Sequence, residues 1–185
     1  MKELGKMRYR KQDHFFLIDI FVKNDQQLFD LRDPSPFREK DLDSKAVEYI
    51  TGAVEEIGLK APIKLVIHYE QKNIDDVSLQ TAIQSYFCYE VDLLRKQIIS
   101  TFKLGRFFLI IGFISLCLLL ALAKIVTDSS LPFRFVVKEG LMIMGWVCLW
   151  RPLETFLYDW WPLLHKKKIY EKIAKIDVET QDRTH

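Results

Sequence analysis

Polar and apolar positions divide the chain into an amphipathic first half and a second half with two long apolar stretches. Residues 14–22 and 62–70 are short and rich in β-branched and aromatic side chains, which is typical of strands. Between them, residues 41–59 repeat apolar side chains at helical spacing. The order strand, helix, strand favours two parallel strands joined by a right-handed crossover. Because two strands make a poor sheet, we expect a third from residues 176–180 or from another chain.

A second amphipathic helix is predicted to begin near Asp76 and to continue into the first apolar stretch. Its apolar stripe comprises Leu79, Ile83, Phe87, Leu94, Ile98 and Phe102. No proline or glycine interrupts it before Gly105, and residues 107–123 contain no charged side chain. With its uncharged flanks, this stretch approaches the ~20 residues that a helix needs to cross a bilayer. We therefore predict a first transmembrane helix here.

The second apolar stretch, residues 140–158, contains Arg151 and Glu154. Its length of about 19 residues is enough to cross a bilayer if these charges are accommodated. They are three positions apart, so a helix places them on one face as an ion pair near its end, where arginine can reach water. Pro152 removes the helical hydrogen bond to the carbonyl of Cys148 and predicts a kink. The four tryptophans lie in or beside this stretch like an aromatic belt, and we predict a second span.

Basic residues flank the predicted spans on one side, so the positive-inside rule places both termini in the cytoplasm. The predicted fold class is an α+β membrane protein. A small cytosolic α/β module with the order strand, helix, strand, helix precedes a two-helix transmembrane hairpin and a basic cytosolic tail. The segments are residues 1–104 for the module with its long juxtamembrane helix, 105–127 for the first transmembrane helix, 128–138 for a short external loop, 139–161 for the second transmembrane helix and 162–185 for the tail.

Composition and motifs argue against several function classes. The net charge of +2 comes from interspersed charges of both signs, whereas nucleic-acid-binding proteins carry a basic face. The three cysteines are an odd number and two lie in apolar stretches, so we expect buried thiols rather than a disulfide framework. The histidines have no partner at ligand spacing, and no glycine-rich phosphate-binding motif occurs. We predict no catalytic, cofactor-binding or metal-binding residues.

One candidate site is the proline-containing segment RDPSPF, residues 32–37. Its two prolines stiffen a loop that either only connects two elements or presents a surface to a partner. The candidate partner-binding residues are Arg32, Asp33, Ser35 and Phe37.

Two further candidate groups lie in and after the second span. Arg151, Glu154 and Tyr158 are predicted to form an intramembrane polar face, which either stabilises the hairpin or marks an ion or proton pathway. Gly112, Ser115, Gly140 and Gly145 can permit close approach of the helices, although their spacing is not that of the GxxxG motif. The basic residues that follow the span are predicted to end it and to attract anionic headgroups. They are Lys166, Lys167 and Lys168.

Several segments together resemble a family of small bacterial membrane proteins of uncharacterised function. They include DPSPFREKDLD at 33–43, LVIHY at 65–69 and WRPLETFLYDWWP at 150–162. The resemblance covers residues 28–178 and implies a bacterial inner-membrane location. Since the family has no established activity, the resemblance implies no catalytic residues.

The sequence therefore favours a non-enzymatic, membrane-anchored interaction or scaffold protein. It would be an accessory subunit or a self-associating component of a larger membrane assembly, in contact with anionic lipid. One alternative is a small oligomeric channel or transporter component that uses Arg151 and Glu154. Another is a membrane-bound enzyme that acts on lipid or peptide.

Overall fold

A computed structural model of the chain describes residues 8–24, 27–30, 41–70, 75–128 and 132–182. The chain divides into two compact units. Unit 1 comprises Met1–Leu93 and Lys166–His185, and unit 2 comprises Leu94–His165. Unit 1 is therefore built from both ends of the chain.

Unit 1 contains a four-stranded sheet in the order β1-β2-β3-β4. The strands are β1 (Lys11–Gln12), β2 (Phe15–Val22), β3 (Ile63–Tyr69) and β4 (Asp177–Asp182). β2 and β3 are parallel as predicted, β4 is parallel to β3, and β1 is antiparallel to β2. The expected third strand thus comes from the C-terminal tail of the same chain. The sequence pattern does not predict β1, because two residues are too short for a periodic signal.

Four α-helices accompany the sheet among the described residues. They are α1 (Ser44–Ile57), α2 (Asp76–Asp128), α3 (Arg134–Glu154) and α4 (Trp161–Ile173), and a π-helix (Thr155–Asp159) lies between α3 and α4. α2 is one helix of 53 residues, so the amphipathic helix does continue through the first apolar stretch as predicted.

Consecutive side chains of a strand alternate between the two faces of the sheet, which here gives one mainly apolar face and one mixed face. The register pairs Ile18 with Leu65 and Leu65 with Val178, which aligns apolar residues across three strands. All three side chains are buried. The mixed face carries charged and polar side chains, among them Asp19 and His68. The mainly apolar face therefore supplies most of the sheet's part of the core, and Leu17 and Val66 are buried on the mixed face.

Helices α1, α2 and α4 supply the remaining core of unit 1. Their buried side chains are Val47, Ile50, Ala53, Val54 and Ile57 from α1, Leu79, Ala82, Ile83 and Phe87 from α2, and Ile169, Tyr170 and Ile173 from α4. The rings of Phe87 and Tyr170 meet edge to face with centroids 5.3 Å apart. Residues from the two ends of the chain are thus packed into one core.

The ends of α1 follow from its sequence. Asp43 caps the first turn, since its carboxylate accepts hydrogen bonds from the backbone N–H groups of Lys45 at 2.9 Å and Ala46 at 3.3 Å. Gly58 ends the helix with φ 96°, a conformation that favours glycine. The Lys172 ammonium on α4 donates to the carbonyl oxygen of Gly58 at 3.0 Å, and its burial lowers the pKa of Lys172. This contact fastens α4 to the end of α1.

Unit 2 exposes much apolar surface. The segment Asp76–Asp128 is long and apolar enough to cross a membrane, and 11% of its most apolar window is buried. Among the large exposed side chains are Phe107, Ile114 and Leu118 on α2 and Trp146 and Val147 on α3. A core helix of a soluble protein usually buries such residues, so this exposed apolar surface is a sign of membrane association.

Candidate functional site

Arg151 is the centre of a charged cluster at the end of α3. Its guanidinium lies 3.4 Å from the carboxylate of Glu154 and 3.4 Å from that of Asp159. The other Glu154 oxygen accepts a hydrogen bond of 2.9 Å from the Trp150 indole. The three charged side chains are 58%, 42% and 35% exposed, respectively. One cation and two carboxylates leave this cluster with a net charge of −1.

The π-helix explains why Asp159 joins the cluster. In a regular α-helix, a residue eight positions along lies about 12 Å further along the axis, at the limit of what an arginine side chain can span. The wider turn Thr155–Asp159 brings Asp159 to Arg151. Tyr158, predicted to share this face, is 67% exposed, and its hydroxyl forms no hydrogen bond with another described residue. Spacing rules for an α-helix therefore do not predict Asp159 as the third charged member of this cluster, and the place of Tyr158 on the polar face stays a prediction.

Pro152 lies inside α3, three residues before the π-helix. Because proline has no N–H group, the carbonyl of Cys148 lacks its usual helical donor. That carbonyl oxygen lies 2.6 Å from the position that a Cβ atom would occupy on Gly112 of α2. Only a glycine leaves room for the oxygen, and its Cα–H group faces the carbonyl. Gly112 thus provides the space for the carbonyl group that Pro152 leaves without its helical hydrogen bond.

Two further contacts join the same helices. A Cβ atom on Gly105 would lie 2.9 Å from the Thr155 side chain, and one on Gly145 would lie 2.8 Å from the Leu116 side chain. As the residue number increases along α2, the number of the residue that it contacts on the other helix decreases, so the two helices run antiparallel where they touch. Gly140, by contrast, has nothing within 4 Å of a Cβ atom.

Aromatic rings and polar groups cover the π-helix. The Phe102 ring lies with its centroid 6.2 Å from that of Phe156 and 6.0 Å from that of Trp160. The Trp160 indole donates to the Phe156 carbonyl at 2.8 Å, and the buried Thr155 hydroxyl donates to the Arg151 carbonyl at 3.1 Å. Carbonyls of an irregular helix need such donors in an apolar environment.

Two of the three basic residues after the predicted span are engaged within α4. Lys167 forms an ion pair of 2.9 Å with Glu171, and its side chain is 19% exposed. Lys166 lies over the Tyr170 ring, with its ammonium 5.2 Å from the centroid. Lys168 is exposed and has no ion pair with another described residue. Of these three residues, only Lys167 therefore has its charge balanced by a carboxylate among the described residues.

The predicted partner-binding loop lies outside the described residues. This applies to all four of its members, Arg32, Asp33, Ser35 and Phe37.

A group of interacting polar side chains lies on the mixed face of the sheet, and it was not predicted from the sequence. The His68 imidazole Nε2 lies 2.8 Å from the Asp19 carboxylate, which also forms an ion pair of 2.9 Å with Arg10. The Phe21 ring stacks on the imidazole with centroids 4.5 Å apart. The only available signal was a histidine and an aspartate in neighbouring strands, and their pairing depends on a register that periodicity does not give. The described residues contain no group of three metal-ligating side chains.

The expectation of three buried cysteines is wrong. Cys88 and Cys117 are exposed and Cys148 is half-buried, and all three are free thiols. The sequence argument assumed that an apolar stretch is an interior, whereas α2 exposes its apolar side chains.

Comparison with protein-family models, with curated proteins and with solved structures finds no match for this chain. The resemblance to small bacterial membrane proteins therefore stays a prediction.

Proposed function

We propose that this chain is a membrane-anchored interaction protein in which α2 and α3 cross a bilayer as a hairpin. Unit 1 then lies on one side of the membrane and acts by binding rather than by catalysis. The partner is another membrane protein or another copy of the chain, in the manner of an accessory subunit.

The observation that carries the proposal is the pairing of β3 with β4. β3 precedes the apolar helices and β4 follows them, yet six residue pairs align the two strands side by side. Both ends of the intervening segment therefore have to lie on the same side of any membrane that the segment enters. If α2 crosses, the chain has to cross back before β4. Among the described residues, α3 and the π-helix are the remaining apolar helical segment that can do so.

The length of α3 fits this task. Its 21 residues extend over about 32 Å, which matches the ~30 Å thickness of the hydrocarbon layer. Arg151, Glu154 and Asp159 then lie at its end, where charged groups reach the headgroup region and water. Trp160 and Trp161 follow at the depth where aromatic residues are enriched.

The orientation follows from the basic residues that flank the spans. Lys103 and Arg106 precede the first span, and Lys166 and Lys168 follow the second. All four are exposed. We infer that both termini and unit 1 are cytoplasmic and that the exposed cations face anionic headgroups. The resemblance of several segments to small bacterial membrane proteins is the basis for proposing that the membrane is the bacterial inner membrane.

Reporter fusions test the topology. Reporters placed before Met1 and after His185 should both give cytoplasmic signals, and a reporter inserted between Asp128 and Arg134 should give an external one. A C-terminal reporter on the opposite side from the N-terminal one would refute the hairpin. Recovery of the full chain in the soluble fraction without detergent would refute the membrane anchor itself.

A further inference from the structure

Helices α2 and α3 carry opposite charges at the same level of unit 2. Gly105 on α2 touches Thr155, which directly follows α3. Lys103 and Arg106 lie within two residues of Gly105, and Glu154 directly precedes Thr155. A hairpin that crosses a bilayer therefore holds these cations and this carboxylate at similar depth.

The two charged groups are not balanced within one chain. Arg151 is shared between Glu154 and Asp159, which leaves a net charge of −1 on the α3 side. Lys103 and Arg106 are exposed, and neither forms an ion pair with another described residue. The α2 side therefore carries a net charge of +2 that has no acidic partner within the described parts of the chain.

The charged groups lie on opposite sides of the helix pair. Each residue advances about 100° around a helix axis, so Arg106 and Lys103 are turned about 100° and 160° in one sense from Gly105. On α3, Arg151 and Glu154 are turned about 60° and 120° in the other sense from Cys148, which faces α2. In two antiparallel helices, side chains that are rotated away from the shared contact in opposite senses lie on opposite sides of the helix pair.

We propose that unit 2 binds a second copy of the chain head to tail, with Lys103 and Arg106 of one copy against Glu154 and Asp159 of the next. The proposal rests on the proposed function, because only copies inserted in one orientation hold the two groups at equal depth. The contact is heterologous and builds a ring or a row of copies. In a two-fold dimer through the α2 side, by contrast, the lysine and the arginine would face their own counterparts.

The surface around the carboxylates has the composition of a protein contact. Trp150, Tyr158 and Trp161 are all exposed beside the acidic group. Aromatic residues and arginine contribute most of the binding energy in many interfaces, and aromatic side chains lose little conformational freedom on binding. Charge complementarity at the edge of such a contact selects the partner and the register.

Charge reversal in the full chain tests the contact. One variant carries Lys103→Glu and Arg106→Glu, and a second carries Glu154→Lys and Asp159→Lys. Each alone should assemble with an apparent Kd raised about tenfold or more, and an equal mixture of the two should recover assembly. Assembly is measured as particle mass in mild detergent and in nanodiscs. The matched control, Arg95→Glu with Lys96→Glu, makes the same charge change on exposed residues of α2 and should assemble like the unmodified chain.

Several outcomes would overturn the proposal. These are a monomeric unmodified chain, unchanged assembly of both reversed variants, or equal loss of assembly in the control. Unchanged assembly together with weaker binding of the first variant to vesicles of anionic lipid would identify headgroups as the partners of these cations.

Topology reporters on the same variants separate failure of the contact from failure of the hairpin. If reversal inverts the insertion, the neutral variant Lys103→Gln with Arg106→Gln tests the contact instead. If the variant with Glu154→Lys and Asp159→Lys does not fold, the contact is tested by comparing the variant with Lys103→Gln and Arg106→Gln with the control variant at positions 95 and 96. Equal assembly of these two variants would refute the contact.

Discussion

Gly112→Ala should destabilise unit 2 even though alanine is the better helix former. The added Cβ atom would lie 2.6 Å from the Cys148 carbonyl oxygen and 3.4 Å from both the Cys148 carbonyl carbon and the Leu149 side chain. The closest atom belongs to the backbone of α3 and cannot rotate away, so the two helices have to separate. Separation also removes the Cα–H group that faces the carbonyl left without a donor by Pro152.

The expected magnitude is the difference between two opposing effects. Overpacking of a tight contact costs about 1–3 kcal/mol, whereas replacing glycine by alanine inside a helix stabilises it by about 0.5–1 kcal/mol. The net loss in the free energy of unfolding should be about 1–2 kcal/mol. The measurement is the unfolding midpoint of the purified full chain in mild detergent as the fraction of denaturing detergent is raised.

Gly140→Ala is the matched control on the same pair of helices. Gly140 lies within α3, and an added Cβ atom would have nothing within 4 Å, so this change should leave stability unchanged or raise it by up to ~1 kcal/mol. If both variants shift the midpoint in the same direction and by similar amounts, the close approach of Gly112 to Cys148 is not a stabilising contact and the reasoning fails.

Three other predictions concern the charged cluster, the composite module and the response to alkali. Arg151→Ala should cost about 1–2 kcal/mol in the same unfolding assay and more than Glu154→Ala, because it leaves two carboxylates without their cation at a partly solvated site; the opposite order would contradict the shared pairing. A fragment of residues 1–100 should be marginally stable or self-associating, and a peptide of residues 162–185 added to it should restore cooperative unfolding; a stable monomeric fragment that ignores the peptide would show that α4 and β4 are dispensable. Burial raises the pKa of Tyr86 in the folded chain to about 12, above the value of about 10 for an exposed tyrosine. The folded state therefore favours the neutral phenol. This contribution to the free energy of unfolding is fully present below pH ~10 and is lost as the pH rises towards 12. Tyr86→Phe should lose less stability than the unmodified chain between these pH values in denaturation titrations, and identical losses would argue against the burial of this phenol.

The periodic parts of the fold could be predicted from the sequence. β2, β3 and α1 each show the period of their element, and α2 has no proline or glycine to end it before Gly105. The contribution of the tail to the sheet was one of two expected alternatives, because a two-stranded sheet cannot bury its face. These inferences depend on local pattern or on a requirement for burial.

The misses share another origin, since each depends on geometry that local spacing does not contain. Asp159 joins Arg151 because a π-helix replaces an α-helical turn, and that change follows from neither residue alone. Asp19 meets His68 through the register of β2 and β3, across 49 positions of sequence. The cysteines were expected to be buried because an apolar segment was equated with an interior, whereas α2 exposes many of its apolar side chains.

The strand pairing supports the proposed topology independently of charge. The bias of basic residues is moderate, since Lys124, Arg134 and Lys138 lie at or within the predicted external loop. Pairing of β3 with β4 instead requires an even number of membrane crossings between the two strands, whatever the flanking charges are. An odd number would place β4 on the other side of the membrane and remove Ile169, Tyr170 and Ile173 from the core. If α2 crosses a bilayer, the sheet of unit 1 can therefore be completed only after a second crossing has been made. Reversing flanking charges should accordingly damage unit 1 in proportion to the fraction of chains that cross the membrane an odd number of times, even though the substituted residues lie in unit 2.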